Sequence, residues 1–332
     1  MQTALANNME TRRKIHIRPN LTIMKGTIAD LKFVRYGDMV VPIIMGKERK
    51  RIVNHIVPQG LNQYVNNLVT VSNSSQAYIT SPSGWGSSPG NSIQLLNNGS
   101  TVQTLTATVI PVLNGSTVIW VFIASDLSSA SYTANQVNLF VSVNYTSHIY
   151  GGGEFYSPAF NLATATTTIL KQSGEAISFV WEIQLNLGSS ALPAFILGIL
   201  YSIPVVQTSC GGSTVPLGTF GGVNIPNGVP YDFYQIQLQY VGGSSSANIS
   251  SVTTSYDGTN TYLVMSASIS LSSQVTATSI IVNVLANGGG NQFFCISGQE
   301  LGSASIIQIP YNATLPSGTV TVTVTIEFSP AT

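Results

Sequence analysis

Residues 319–328 read TVTVTVTIEF: every second side chain is Val, Ile or Phe, and those between are Thr or Glu. Strict alternation is the pattern of a β-strand with one face on a core and the other toward water. It recurs at 137–145, where Val137, Leu139, Val141, Val143 and Tyr145 alternate with Asn138, Phe140, Ser142 and Asn144. It recurs again where Tyr234, Ile236, Leu238 and Tyr240 are separated by glutamines. Shorter β-type runs punctuated by Gly, Pro, Ser and Asn lie at 67–72, 77–81, 92–96, 101–113, 117–125, 166–170, 176–187, 194–206, 261–271, 276–285, 292–297 and 303–309. Asn114-Gly115, between two such runs, marks a tight hairpin. No segment of useful length shows the 3.6-residue period of a helix, so the expected fold class is all-β, with antiparallel β-sandwich domains of jelly-roll or Ig-like type. The apolar run 191–206 is broken by Pro193, Gly198, Ser202 and Pro204 and reads as buried β structure rather than a membrane span.

Charge divides the chain differently. Eleven of its twelve basic residues, Arg12, Arg13, Lys14, Arg18, Lys25, Lys32, Arg35, Lys47, Arg49, Lys50 and Arg51, fall in the first 51 positions, with four acids among them. That segment is net +7, whereas residues 52–332 carry Lys171 against eight acids, a net of −7. The expected organisation is a basic N-terminal anchoring arm over 1–55, one sandwich over 56–150 and a second over 151–332, with 148–153 (HIYGGG) as the junction. Within the arm, Lys14-Ile15-His16-Ile17-Arg18 alternates, so a strand there places its basic side chains on one face. Its many Ile and Val residues predict an arm that orders when packed on a partner. Arg12, Arg13, Lys14, Arg18, Lys47, Arg49, Lys50 and Arg51 are the candidate assembly or anion-facing residues. A cationic surface of this kind suits protein anchoring, an inner membrane or a genome.

The remainder is 281 residues with nine charged side chains, against the roughly 25% usual for soluble domains. Its surface must therefore be amide and hydroxyl, hydrated at any pH, and an acidic exterior would leave it little self-repulsion. Sequons at Asn20, Asn73, Asn98, Asn114, Asn144, Asn248 and Asn312 are possible glycosylation sites, and the start MQTALANNMETRRK lacks the apolar core of a secretory signal. Cys210 and Cys295 are either a disulfide closing an 85-residue loop, worth about 4–5 kcal/mol in the chain-entropy model, or two buried thiols.

Catalysis is hard to assemble from this inventory, and no enzyme, cofactor or metal site is expected. His16, His55 and His148 are scattered, no nucleophile elbow or phosphate loop is present, and Glu154, Glu175, Glu182, Asp232 and Asp257 are isolated acids. Trp85, in a Gly/Ser loop, and the aromatics Tyr231, Phe233, Tyr234 and Tyr240 are candidates for stacking on sugars, including host surface glycans.

A charged N-terminal segment without a signal, followed by charge-poor Ser/Thr/Asn/Val-rich sandwiches ending in a strand, resembles the structural proteins of icosahedral viruses of thermoacidophilic archaea: capsid, penton or turret components. The resemblance implies a virion protein made in the host cytoplasm, a homo-oligomer that also contacts other capsid proteins. Membrane-apposed coat proteins of that group end in a helix, whereas this sequence stops four residues after Phe328, which favours a vertex, turret or minor role. The alternative expectation is an extracellular cell-surface filament or adhesin subunit assembled by strand complementation.

Overall fold

The computed structural model describes residues 7–36, 39–73, 77–78, 91–114, 117–142, 144–147, 153–156, 159–186, 231–286, 294–296, 299–301 and 303–331. In chain order these form β1 (Asn7–Gly26), a 3-10 turn (Ile28–Asp30), β2 (Leu31–Tyr36), β3 (Met39–Ile44), β4 (Glu48–Ile52), β5 (His55–Ile56) and helix α1 (Pro58–Asn73). There follow β6 (Ala77–Tyr78), β7 (Ser92–Asn97), β8 (Ser100–Thr106), β9 (Thr108–Asn114), β10 (Thr117–Asp126), β11 (Tyr132–Val141), β12 (Asn144–Ser147), β13 (Gly153–Tyr156), β14 (Phe160–Lys171) and β15 (Ala176–Asn186). The last group is β16 (Tyr231–Tyr240), β17 (Gly243–Asn248), β18 (Ser251–Tyr256), β19 (Thr261–Leu271), β20 (Val275–Ala286), β21 (Phe294–Ile296), β22 (Gln299–Leu301), β23 (Ser303–Leu315) and β24 (Gly318–Pro330). The fold is all-β apart from α1 and the 3-10 turn among the described residues.

One strand organises the rest. β1 is 20 residues long, roughly 65 Å at the rise of an extended chain. Its first half, Asn7–Ile17, pairs in parallel with β24, and its second half, Ile17–Gly26, pairs antiparallel with β15. The resulting eight-stranded sheet runs β18-β19-β24-β1-β15-β10-β9, with β4 also on β1. Two smaller sheets, β5-β14-β11-β7-β8 and β17-β16-β20-β23, complete a sandwich-like layering with it. A single buried cluster runs through both halves, from Trp120, Phe122, Phe179 and Trp181 to Met265, Val320, Val322 and Val324.

β1 therefore corrects the expectation of a separable basic arm over 1–55. Its odd positions Met9, Ile15, Ile17, Leu21 and Ile23 are core residues, and the even positions Glu10, Arg12, Lys14, His16 and Arg18 carry its charge outward. Three further corrections follow. Residues 67–72, read as a strand, are the last part of α1. The expected run 101–113 is two strands, because the chain turns at buried Ala107 and leaves β8 in the five-stranded sheet for β9 in the large one. A division at 150 would part β14 from β11 and β15 from β10, strands that are hydrogen-bonded partners. The junction at 148–152, the run 194–206 and the Gly/Pro-rich span 211–230 lie outside the described residues.

β9 and β10 pair antiparallel as far as Asn114 and Thr117, and Gly115 of the expected hairpin lies outside the described residues. A tight turn joins β7 to β8 through Asn98 and Gly99, both with positive φ (51° and 82°). That is the backbone geometry that Asn-Gly adopts at least steric cost.

Helix α1 packs on both halves, touching β14 as well as β18 and β19. Leu61, Tyr64 and Val65 are its buried face, and the Tyr64 ring meets Trp120 edge-on at 5.6 Å. Gly60 lies so close to the Asn161 carbonyl that a Cβ would come within 1.9 Å of its oxygen, so any larger residue pushes the helix off the sheet. At the far end Thr254 on β18 hydrogen-bonds Asn66.

The shared edge of β1 needs a splice where β24 stops. The last β24-side bond runs from the Ala331 amide to the Ile17 carbonyl, 2.8 Å, and β4 pairing begins at Leu21. Between them the buried Asn54 side chain substitutes for a strand. Oriented by its neighbours, its amide nitrogen donates to the Pro19 carbonyl (2.8 Å), while its oxygen accepts from the Leu21 amide (3.0 Å) and the Trp181 indole (2.8 Å).

Lys171, the one cation beyond residue 51, is fully buried. Its ammonium donates to the Ser128 and Ala130 carbonyls (2.6 and 2.8 Å) and lies 3.8 Å from Asp126, tying the loop after β10 to the end of β14. Burial acts to raise the Asp126 pKa, but the Ser128 hydroxyl and amide, with Gln103, outweigh it and hold the carboxyl below its ordinary value.

Asn54→Ala strands three buried groups at once and is expected to destabilise the protein by about 3 kcal/mol. Lys171→Ala leaves Asp126 as an unpaired buried charge, with an expected loss of about 3–5 kcal/mol. Urea unfolding followed by circular dichroism checks both; a loss below 1 kcal/mol in either would show that the site is rebuilt around the gap.

Candidate cationic face

The alternation of β1 puts its charges on the outer face of the large sheet. Arg12, Lys14, His16 and Arg18 project there, each about 6.6–7 Å from the next, while Ile15 and Ile17 point into the core. Arg49 and Arg51 of β4 stand opposite Met24 and Thr22 and extend the same face. Lys32 and Arg35 of β2 and Lys47 before β4 are exposed on the hairpin that covers the β15 and β10 end of it. Arg13 has the inward parity, and Lys50 reaches across to the Thr167 hydroxyl of β14 at 3.0 Å. Lys25 pairs with Glu175 at 2.9 Å. Of the eight candidate residues named from sequence, Arg12, Lys14, Arg18, Arg49 and Arg51 thus share the outward side of the large sheet, and Lys47 is exposed just before β4.

Carboxylates on this face hold the cations in place. Glu327 of β24 is almost buried and accepts from Arg12 (2.6 Å), Lys14 (3.1 Å) and the Ser329 hydroxyl (2.7 Å). Arg12 also lies over the Tyr262 ring, 4.9 Å from its centroid, and the Tyr262 hydroxyl hydrogen-bonds Asp257. Further along, Arg51 donates to Asn20 (2.6 Å), which donates to Glu182 (2.9 Å), which also accepts from Gln184 (3.3 Å). Arg12, Lys14, Arg18, Arg49 and Arg51 against Glu10, Glu182 and Glu327 leave the strip at net +2, with each guanidinium or ammonium still partly exposed. Such a surface can bind an anionic partner, since its inner acids fix the bases without covering them.

The opposite layer is built of other material. Among the described side chains of the five- and four-stranded sheets, Lys171 is the sole Lys, Arg, Asp or Glu, and it is buried. The outer face of the four-stranded sheet is an amide and hydroxyl lattice: Gln237 donates to Ser244 (3.0 Å), Gln308 to Ser279 (3.0 Å), and Ser279 to Gln239 (2.9 Å).

Among the described residues, the remaining sequence candidates do not converge. Glu175 accepts from the Gln172 amide, Glu182 sits in the ladder above, and Asp257 caps its own loop through Asn260, Thr259 and Tyr262. His16 and His55 are exposed on different strands. Tyr240 hydrogen-bonds within its hairpin at Ser244 and Ser245. Trp85, His148, Cys210 and the side chains of Glu154, Tyr231, Asp232, Phe233, Tyr234 and Cys295 lie outside the described residues. Of the sequons, Asn98, Asn248 and Asn312 are exposed, whereas Asn20 is engaged by Glu182 and Arg51; the side chains of Asn73, Asn114 and Asn144 are not described. Sequence reasoning missed Glu327 as the anchor of Arg12 and Lys14, although its lone place among the threonines of 319–328 was a visible signal.

No protein-family model matches this chain, and no characterised protein matches it in sequence.

Burial acts to raise the Glu327 pKa, but the Ser329 hydroxyl, Lys14 and Arg12 together hold it below its ordinary 4.5. Because folding lowers this pKa, the stabilisation is complete above the unfolded value and is lost as pH falls through the folded one. The melting-temperature gap between the wild type and Glu327→Gln is therefore expected to be widest near neutrality and to close below about pH 4.5. A gap that stays constant down the acid range would remove Glu327 as the source.

Proposed function

We propose that the protein is a virion structural component, of capsid, penton or turret type, held in its assembly by the cationic outer face of the large sheet. The observation that carries this reading is the segregation of charge: one layer bears the exposed cations, and the layer behind it bears amides and hydroxyls. A particle subunit needs such two-sidedness, because one side meets anionic or protein neighbours and the other meets an exterior of variable pH and salt. We further read the two halves as sandwich domains fused through β1, oligomerising with copies of this chain and with other coat proteins. The resemblance to virion proteins of thermoacidophilic archaea supports the same assignment, and the charge-poor layer suits an acid exterior. Asn98, Asn248 and Asn312 are then the outward positions open to glycan.

The cell-surface filament reading requires an N-terminal strand that completes a neighbour's sheet. Here Asn7–Ile17 is already seated beside β24 of its own chain, which favours the virion.

Amine-reactive footprinting tests the assignment. In isolated protein Lys14, Lys32 and Lys47 are expected to react readily, with buried Lys171 as the internal unreactive control. In the purified native assembly the same three are expected to be protected at least several-fold. Equal labelling of all three in both forms would overturn the proposal.

A further inference from the structure

Glu327 is the lone acidic or basic side chain of β24, and it lies beneath cations rather than beside them. On the β1 side the register sets Lys14 opposite it, and Lys14 and Arg12 each engage one of its oxygens, at 3.1 and 2.6 Å. The Ser329 hydroxyl donates to it from its own strand. On the β19 side Tyr262 stands opposite, with Arg12 over its ring and its hydroxyl bonded to Asp257. The neighbouring outward positions of β1 are Glu10, opposite Thr323, and His16, opposite Ser329, while Arg13 beside Ile326 has the inward parity. Accessibility divides the cluster: the Glu327 side chain is 6% exposed, against 55% for Arg12 and 48% for Lys14. An anion arriving at this face therefore meets the two cations, and Glu327 competes with it from below for the same N–H donors.

We infer that Glu327 is an acid-released counter-charge, which occupies Arg12 and Lys14 near neutrality and yields them to an anionic partner as pH falls. The inference rests on the reading of the cationic face as the held side and supplies its regulation. A protonated Glu327 carries no charge to oppose the partner, and the strip rises from net +2 to +3. Burial acts to raise its pKa, but Ser329, Lys14 and Arg12 keep it below the ordinary 4.5, so the release belongs to the acid range. That range also selects the partner's chemistry. Carboxylates lose their own charge there, whereas phosphodiesters stay ionised and gain from the release.

The affinity of the full chain between about pH 6.5 and about pH 4 tests this with two phosphodiester probes, oligothymidylate and phosphatidylglycerol vesicles. The probe that responds tells a nucleic acid from a lipid headgroup. Wild-type affinity is expected to rise about threefold or more as pH falls. Glu327→Gln should show the higher affinity already at the upper end, with a smaller rise remaining. Its salt dependence there should be steeper than that of the wild type, by about 0.7 per released cation on the single-stranded probe. The wild type supplies a second measurement. Among its seven glutamates, the Glu327 carboxyl followed by carbon NMR should titrate at higher pH once probe is bound, because a ligand that competes for Arg12 and Lys14 favours the protonated acid. Parallel pH profiles for wild type and Glu327→Gln would overturn the inference, as would a Glu327 titration unmoved by bound probe. Failure to bind either probe at any pH would overturn it as well. Protection of Lys14 in the native assembly together with parallel profiles leaves the held face standing and removes Glu327 as its regulator.

Discussion

A strand that serves two halves of a molecule must be hydrogen-bonded along its whole length, and that requirement shapes this fold. On one edge of β1 the partners change from β24 to the Asn54 side chain to β4, so that Ile17, Pro19 and Leu21 are each satisfied by a different element. Buried peptide groups left open here would offset much of the local gain from burying Ile15, Ile17 and Leu21. The two halves are consequently bound through covalent backbone and sheet hydrogen bonds, with α1 as a wedge on both. Neither can shift against the other without breaking β1.

The same strand explains the electrostatics. With most of its odd side chains committed to the core, most of its charge leaves by the other face, and parity collects Arg12, Lys14 and Arg18 there, while Arg13 and Lys25 keep the odd parity. Parallel register places Lys14 beside Glu327, so a residue near one end of the sequence neutralises part of the charge near the other. In the charge-poor remainder the exceptions are structural: Lys171 and Asp126 are buried together, and Glu175 answers Lys25.

Much of the architecture was legible in the chain. Period-two alternation identified β24, β16 and the middle of β1, where it foretold that the basic residues share a face; the strand expected over 137–145 holds only to Val141, since Asn144–Ser147 joins another sheet and Asn138, expected outward, is buried. Burial of β1 was obscured by its charges, because composition over 1–51 suggests a solvated arm while the apolar half of the alternation is sparse before Ile15. Helix α1 did carry its period, at Leu61, Tyr64 and Val65 behind Pro58, but Val and Thr near its end gave the look of a strand. The split of 101–113 at Ala107 depends on which sheet each piece joins, a long-range choice with no local mark. The polar splice at Asn54 is likewise invisible locally, since its three partners come from β1 and β15.

Parallel pairing of the first strand with the last has a cost in time. Asn7 leaves the ribosome 313 residues before its partner Val320, an interval of about 15–60 s at ordinary rates of synthesis. Throughout that interval one edge of Asn7–Ile17 is unfilled and open to the wrong strand, so the nascent chain depends on its cationic side chains to repel other copies of itself. The charges of the outer face would thus also act as the guard of an unfinished sheet.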